Sequence, residues 1–160
     1  MTPSHGIRRA TVADAPTLAA LNGIVHMPHV EAHPRYFRPT ETEALAALFA
    51  EWLDQDDAAA FLACDGAGNA VGYLVAKLRD LDPSPFHHRR CFLEIDQIAV
   101  DPAHRRAGLG HALVEAAREE ARQRGADAVH LATWAFNQGA QAFFEREGFL
   151  VRAVQLWQPV

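Results

Sequence analysis

The sequence predicts a single α/β (α+β mixed) domain, in which helices flank a central, mostly antiparallel mixed β-sheet. The 160 residues contain neither an internal repeat nor a Gly/Ser-rich linker, so we expect one domain over 1–160. Two apolar, strand-like runs joined by the turn 65–69 predict an antiparallel hairpin in the middle of the chain. Strand-like runs alternate with helical patterns over the second half, which is typical of βαβ units and makes the sheet mixed.

The composition excludes several classes of protein. Hydrophobic residues make up 49% and charged residues 22%, an ordinary globular balance. No stretch approaches the roughly 18 apolar residues of a membrane helix, and no apolar leader follows the N-terminus, so we expect no membrane and a cytoplasmic location. The net charge of −5 argues against a nucleic-acid partner. Basic pairs at 89–90 and 105–106 indicate instead a small anionic ligand.

The first half of the chain predicts a short strand at 7–10, two helices and the hairpin. Thr11 with Asp14, and Thr40 with Glu43, each have the spacing of a capping box, which opens a helix. Three prolines predict that 27–39 is a loop between the two helices. The apolar residues of the helices recur at helical spacing: Leu18, Leu21 and Val25 in the first, and Leu45, Leu48, Phe49 and Trp52 in the second.

The second half predicts alternating elements that end in a strand. A strand at 91–100 precedes a helix at 108–124, which Gly125 closes, and a strand follows at 129–133. A short helix at 137–147 ends at Gly148, and the chain finishes on a strand from 149 to about 157. The predicted order is β-α-α-β-β-β-α-β-α-β.

The segment 94–110 runs from a strand through a glycine-spaced loop into a helix. Gly108 and Gly110 let the backbone approach a ligand closely. The helix start offers unpaired N–H groups and partial positive charge, which together suit a pyrophosphate. Arg105 and Arg106 add charge-assisted hydrogen bonds. Alone, the pattern is equally typical of a tight turn, and it is neither a Walker loop nor a Rossmann fingerprint.

Two motifs together resemble the GNAT acetyltransferase superfamily. Arg105-x-x-Gly108-x-Gly110 resembles the acyl-CoA-binding motif of that family. The segment 137–149 is similar to the family signature Asn-x-x-Ala-x-x-Phe-Tyr-x-x-x-Gly-Phe, and the order and spacing of the two motifs fit as well. The resemblance covers roughly 6–157, and its specific part is 92–149.

The resemblance implies the GNAT fold, with about four helices and a splayed strand pair that admits the pantetheine arm of CoA. It implies acetyl-CoA as co-substrate and partner, with backbone groups before the helix holding the pyrophosphate and two residues bordering the thiol end. The implied CoA-binding residues are Ile98, Ala99, Val100, Arg105, Arg106, Ala107, Gly108, Leu109, Gly110, Asn137 and Phe144.

The candidate catalytic residues are Glu94, Asp96 and Ile98. An alkyl ammonium must lose a proton before it attacks a thioester, and a carboxylate near the reacting centre accepts it. Strand alternation predicts that all three side chains point to one face. The resemblance implies Glu94 as base, with Asp96 in reserve, and the Ile98 N–H as oxyanion donor. The alternative is that the carboxylates are solvated or ion-paired with Arg89 or Arg90.

One departure from the family pattern keeps a second function open. The family has tyrosine at the position of Phe144, and its hydroxyl protonates the departing sulfur. Phenylalanine donates no proton, which supports the alternative of a non-catalytic acyl-CoA-binding or regulatory module.

A third hypothesis is a metal-dependent protein. Its ligands would be His26, His29 and His33, but prolines interrupt their helix and no supporting carboxylate or Cys motif accompanies them, so we expect no metal. Cys64 and Cys91 lack metal-ligand spacing and are expected as buried thiols.

The acceptor side is less determined. By resemblance, the segments 24–40 and 80–90 meet the acceptor, which is a small amine or a protein amine. The sequence after Phe149 has room for little more than one strand, where the family ends in a hairpin. That difference leaves a homodimer open.

Overall fold

The computed structural model describes residues 6–160 and contains a five-stranded sheet in the order β1-β2-β3-β4-β5. Residues 1–5, part of the N-terminus from which we predicted no leader, lie outside the described residues. Pairing is antiparallel from β1 to β4 and parallel between β4 and β5, which confirms the predicted mixed sheet and its βαβ unit. The strands are β1 (Gly6–Arg9), β2 (Ala58–Cys64), β3 (Ala70–Leu81), β4 (Arg90–Val100) and β5 (Ala128–Leu131).

Four α-helices in the described range cover the two faces of the sheet, in agreement with the prediction. They are α1 (Ala15–Ala32), α2 (Thr42–Leu53), α3 (Leu109–Gln123) and α4 (Gln138–Arg146). Helix α3 buries Leu109, Leu113 and Ala117 against Leu74 and Leu93 on one face. The opposite face belongs to α1 and α2, which pack on it through side chains such as Leu18 and Phe49.

Most of the predicted helix ends are confirmed. Asp14 accepts a hydrogen bond from the Thr11 N–H at 2.8 Å and forms the first capping box, which opens a short 3₁₀ turn before α1. Gly125 and Gly148 have φ of +71° and +85° after α3 and α4, the left-handed conformation of a helix-terminating glycine. The second predicted capping box is wrong, because the residue at the start of α2 is Glu41 and makes no side-chain cap.

The predicted loop 27–39 is wrong over its first half, because α1 continues through Pro28 to Ala32. The proline removes one helical N–H and normally ends a helix. Here the last turn packs its rings on the aromatic side chains that follow it, for example His29 on Phe37 with centroids 5.2 Å apart. This tertiary contact outweighs the local cost of the proline.

Strand β4 contains a β-bulge at Asp96. Val75 faces Gln97 across the β3–β4 pair, whereas the next residue, Ala76, faces Ile95, so Asp96 is an extra residue on β4. Ile95 and Ile98 consequently pack on the α3 face. The prediction that Glu94, Asp96 and Ile98 share one face is therefore wrong, because the bulge shifts the alternation by one residue before Ile98.

The predicted strand from 149 to 157 is wrong. Phe149 still packs on Phe144, but the chain beyond it forms no strand and pairs with none among the residues that the structure describes. A strand requires a neighbour to satisfy its backbone groups, and apolar sequence alone supplies none. Strand β5 also ends at Leu131, two residues earlier than predicted.

Candidate active site

A gap opens between β4 and β5 at the carboxyl end of the two strands. Their pairing extends from Phe92 and Ala128 to Ile95 and Leu131, and then stops. Strand β4 continues its pairing with β3 as far as Val100. The backbone of 96–100 therefore has no strand partner on the β5 side within the described range. This is the splayed strand pair that the resemblance implied.

The loop between β4 and α3 presents a row of backbone amides. Among the described residues, the amides of 106–111 donate to no backbone carbonyl; the first helical bond runs from the Ala112 N–H to the Gly108 oxygen at 2.9 Å. Arg106 and Gly108 have φ of 65° and 78°, left-handed conformations of the kind found in backbone concavities that bind anions. These amides and the positive end of α3 make an anion site.

The two glycines of the loop have different roles. A Cβ added at Gly108 would meet nothing within 4 Å, so its front is open to a ligand. A Cβ added at Gly110 would lie 3.1 Å from the Phe143 ring, so this glycine permits α3 to pack on α4. Arg105 donates through Nε to the Val100 carbonyl at 3.1 Å and ties the loop to the end of β4.

The residues expected near the thiol have structural contacts of their own. Asn137 caps α4 by accepting a hydrogen bond from the Ala140 N–H at 3.1 Å. Phe144 is buried, with its ring 5.1 Å from that of Phe143 and 5.4 Å from that of Phe149. Their contribution to coenzyme binding stays a prediction.

The two candidate bases differ in their environment. Glu94 accepts a hydrogen bond from Arg79 Nε at 2.7 Å in an exposed ion pair, whereas Arg89 pairs with Asp80. Glu94 is thus ion-paired, as in the alternative interpretation, but its partner is Arg79 and neither Arg89 nor Arg90. Asp96 has no ion-pair partner within the described part of the chain. The Asp96 side chain is exposed to solvent at the edge of β4, but the protein around it removes part of the water from its carboxyl, which raises the pKa of Asp96, and the neighbouring Glu94 carboxylate raises that pKa further.

A buried polar cluster that the sequence analysis missed supports the bulge. Gln97 Oε1 accepts hydrogen bonds from the Tyr73 hydroxyl at 2.7 Å and from Asn22 Nδ2 at 3.0 Å. Tyr73 is fully buried and Asn22 nearly so. Burial raises the pKa of Tyr73, so its hydroxyl stays protonated and donates. The available signal was Asn22 itself, a polar residue four positions after Leu18 on the buried side of a helix.

Asp96 lies at the edge of an apolar hollow between α2 and β4. The hollow has a volume of about 130 Å³. Its remaining lining is mostly apolar and consists of Leu45, Leu48, Phe49, Trp52, Val75 and Gln97. A carboxylate beside such walls is suited to an organic cation that carries a small apolar group.

An aromatic cluster joins the end of α1 to the loop after β5. His33 and Phe37 each lie with their ring centroid 5.0 Å from that of Trp134, and His29 lies 5.3 Å from Phe136. The predicted acceptor segment 24–40 thus meets the carboxyl end of β5 through ring contacts.

The part of the chain that the structure describes contains no group of three or more His, Cys, Asp or Glu side chains able to hold a metal.

The comparison with protein families agrees with the geometry of the gap and the loop. A family model described as the acetyltransferase (GNAT) family matches residues 27–149. The chain belongs to this family. The match contains the amide loop, the bulge, the hollow and the aromatic cluster, so the main features of the candidate site lie within the GNAT region.

Curated relatives of this GNAT chain are named as acetyltransferases. It is 35% identical over 104 residues to an uncharacterised N-acetyltransferase of Methanocaldococcus jannaschii, and the matched region is 65% of this chain and 45% of the relative. It is 30% identical over 119 residues to a mycothiol acetyltransferase of Propionibacterium freudenreichii, and here the matched region is 74% of this chain and 36% of the relative. The matched region thus spans less than half the length of either relative.

Solved structures share the GNAT fold over nearly the whole chain. The tetramutant of the BH1408 protein from Bacillus halodurans has a TM-score of 0.91 at 25% identity, with 97% of this chain and 99% of that chain covered. The aminoglycoside N-acetyltransferase AAC(6')-Iy, solved in complex with CoA, has a TM-score of 0.75 at 22% identity, with 98% and 95% covered. In the described range, no helix has the length and apolar character to cross a bilayer.

Proposed function

We propose that the protein is an N-acetyltransferase that moves an acetyl group from acetyl-CoA to a primary amine by direct attack in a ternary complex. The observation that carries this proposal is the row of unpaired amides at 106–111 beside the gap between β4 and β5. Family membership and relatives named as N-acetyltransferases support it. A cytoplasmic location stays a prediction of the sequence.

The amide loop and the gap have complementary parts in binding. The amides around Gly108 would hold the diphosphate of CoA, and the open space in front of this glycine accommodates a close approach. The unpaired edge of β4 at 96–100 would hold the pantetheine amides as an added strand. Arg105 and Arg106 supply positive charge. Acetyl-CoA, the second substrate, supplies the acetyl group as a thioester.

We propose Asp96 as the base in preference to Glu94. Arg79 Nε occupies one carboxylate oxygen of Glu94, so that oxygen is not free to meet an acceptor ammonium. Asp96 has a raised pKa and lies on the face of the sheet that α1 and α2 cover, beside the hollow. Its carboxylate would take one proton from the acceptor ammonium, directly or through one water, and leave the nitrogen lone pair free to attack.

The remaining steps require no side-chain acid at the position of Phe144. The new C–N bond forms as the carbonyl π pair moves onto oxygen, and the C–S bond breaks as that pair returns. A thiol of pKa about 8.5 leaves acceptably as thiolate. The second amine proton then neutralises it, and the backbone N–H of Ile98 stays our candidate donor to the oxygen.

The hollow indicates what kind of amine is accepted. Its lining is apolar on α2, with Leu48 and Trp52, and carries one carboxylate at its edge. We infer an acceptor with a primary ammonium beside a short aliphatic or aromatic group. The hollow of about 130 Å³ has room for a few methylenes or one small ring.

Release of free CoA thiol from acetyl-CoA tests the proposal over a panel of primary amines. We expect turnover with alkyl and aralkyl amines, and less with polyhydroxylated amines of similar size. The second candidate, a non-catalytic acyl-CoA-binding module, is favoured by Phe144. Tight CoA binding by calorimetry without thiol release from any amine would support that module and overturn the enzyme. Absence of CoA binding would overturn both.

A further inference from the structure

The face of the sheet under α1 and α2 is open to solvent toward the start of β4. Leu93 and Ile95 pack on the α3 side, so the alternation of the strand directs Glu94 to the opposite face. Arg79 of β3 pairs with Glu94 there, and the two side chains are 44% and 42% exposed. Arg90, at the start of β4, shares the alternation of Glu94. We call the surface of Arg79, Arg90 and Glu94 the open floor.

Arg79 has one edge of its guanidinium free. Its Nε donates to Glu94 at 2.7 Å, and neither of its Nη groups donates a hydrogen bond to any described residue. Two parallel Nη donors at the end of a guanidinium match the two oxygens of a carboxylate. The pair with Glu94 thus holds the guanidinium by its Nε and leaves these two donors available for an anion.

The other cations of this region differ in whether they have partners. Lys77 on β3 is occupied, because its Nζ donates to Gln55 Oε1 at 2.5 Å and lies 3.4 Å from Asp57. Arg90 Nε is buried and has no hydrogen-bond partner among the described residues. A buried donor without an acceptor costs free energy, which an anion bound at the same guanidinium offsets. The open floor therefore holds two guanidinium groups against one carboxylate.

The open floor lies close to the candidate base. Glu94 and Asp96 are two residues apart on β4, and a strand rises by about 3.3 Å per residue, so the free donors of Arg79 beside Glu94 lie about 7 Å from the Asp96 carboxyl. Loss of water and the Glu94 carboxylate raise the pKa of Asp96, and the Arg79 charge opposes them, which indicates that the three groups are neighbours. An extended chain of two amino-acid residues spans about the same length.

The hollow lies on the other side of Asp96. Its lining on the sheet is Val75 and Gln97, which face each other across the β3–β4 pair, and α2 closes it. A ligand whose ammonium meets Asp96 can therefore extend in two directions. An apolar group fits into the hollow, and a chain that carries an anionic group fits over the open floor.

We propose that the acceptor is a dipeptide-sized amino carboxylate, whose ammonium meets Asp96 and whose carboxylate binds the free Nη groups of Arg79. The apolar side chain on its amine carbon enters the hollow, and Arg90 adds a second positive charge farther along the open floor. The carboxylate distinguishes this acceptor from the simple alkyl amines that the hollow alone would admit. This inference rests on the proposed function, because it identifies the substrate class of the same site.

Binding of leucylglycine and of leucylglycinamide to the CoA-bound protein tests the carboxylate site. The second probe carries an amide in place of the terminal carboxylate. Calorimetry should therefore give a dissociation constant about tenfold or more lower for the acid, the effect of charge-assisted hydrogen bonds. Arg79→Gln should remove this preference, Arg79→Lys should keep part of it because the charge remains without the paired donors, and Arg90→Gln should reduce it less than Arg79→Gln does.

Arg89→Gln is the matched control. Arg89 is a neighbouring exposed arginine, but it pairs with Asp80 and not with a residue of the open floor. Its replacement should leave the preference for the acid unchanged. Equal binding of the two probes by the unmodified protein, failure of both to bind, or the same preference in Arg79→Gln as in Arg89→Gln would contradict the carboxylate site.

Thiol release from acetyl-CoA with the same two probes keeps this result apart from the proposed function. Equal turnover of both probes would overturn the carboxylate site and leave the enzyme. Tighter binding of the acid without thiol release would support the carboxylate site and overturn the enzyme.

Discussion

The two faces of the sheet are built differently. Helix α3 covers one face with a continuous apolar contact, in which Leu109 and Leu113 pack on Leu74 and Leu93. The face under α1 and α2 contains a buried polar cluster around Gln97 as well as apolar residues. The first face positions one helix end and its amides, whereas the second positions side chains. Changes on the two faces should therefore affect different measured quantities.

The largest effect should come from Gly108→Trp, at the start of α3. The side chain would fill the open front of the amide loop and force a left-handed backbone that tryptophan disfavours. We expect CoA affinity to fall by about a hundredfold or more, the loss of a charge-assisted site, when measured by calorimetry.

Gly68→Trp is the matched control for this change. Gly68 also has a positive φ, of 87°, and open space around it, but it lies in the turn between β2 and β3. Its replacement should lower stability similarly and leave CoA affinity unchanged. Equal losses of affinity in the two variants would show that the amide loop is not the coenzyme site.

Asp96→Asn tests the face under α1 and α2, and it should change turnover rather than CoA affinity. Loss of the base should lower turnover by about a hundredfold, while CoA affinity stays as it is. Turnover of the unmodified protein should also fall on acidification, from a higher pH than an ordinary aspartate would give, because the pKa of Asp96 is raised.

Glu94→Gln is the paired comparison on the same strand. Glu94 is bound by Arg79, so its replacement should reduce turnover less than that of Asp96. A larger loss in Glu94→Gln, measured by thiol release at saturating acetyl-CoA, would return the role of base to Glu94.

An effect of intermediate size is expected for Glu120→Gln on the α3 face, and it should concern stability alone. Glu120 is nearly buried, with Arg9 Nη1 at 2.5 Å and Arg124 Nε at 3.0 Å. The hydrogen bond from Arg9 lowers the pKa of Glu120 below its ordinary value of 4.5. Since the folded pKa is lowered, this stabilisation is complete above pH 4.5 and is lost as the pH falls through the folded pKa.

We expect Glu120→Gln to cost about 2 kcal/mol at neutral pH, less than a fully buried pair because Arg9 is half-exposed. Urea unfolding at pH 7 and near pH 3 measures this cost, and the difference between the two proteins should shrink at the lower pH. A constant difference would remove the ion pair as its cause.

The smallest effect should come from Tyr73→Phe on the other face. It deletes the 2.7 Å hydrogen bond to Gln97 and the 3.3 Å hydrogen bond that the Tyr73 hydroxyl accepts from Asn22, while Asn22 keeps its hydrogen bond to Gln97. We expect a loss of about 1 kcal/mol in the free energy of unfolding, with CoA affinity unchanged. A fall in CoA affinity here would show that the two faces are coupled.

The same comparison explains what the sequence could and could not predict. The α3 face follows from local signals: strand, glycine-spaced loop, amphipathic helix and closing Gly125 all occur in one short segment. The other face depends on contacts between distant segments. The bulge follows from the register of β4 against β3, and the continuation of α1 through Pro28 follows from rings brought together by the fold. Neither has a local signature.

Residues 150–160 show a different limit of sequence reasoning. The apolar content from Phe149 onward predicts a strand, whereas the structure contains none there. What the sequence of one chain cannot specify is the neighbour that a strand requires. The same limit applies to β5, whose four residues give no sign that its second edge is open.

The extra residue of β4 has a consequence for how scaffold and chemistry relate. Ile95 and Ile98 keep the faces that a regular strand of one residue fewer would give them, since Asp96 is accommodated outside the alternation. Asp96 is thus an extra residue in the strand, and the isoleucines on either side of it keep their contacts in the core. A variant that lacks Asp96 should fold and bind CoA, yet its turnover should fall at least as far as that of Asp96→Asn, so architecture and reactivity are separable at a single position.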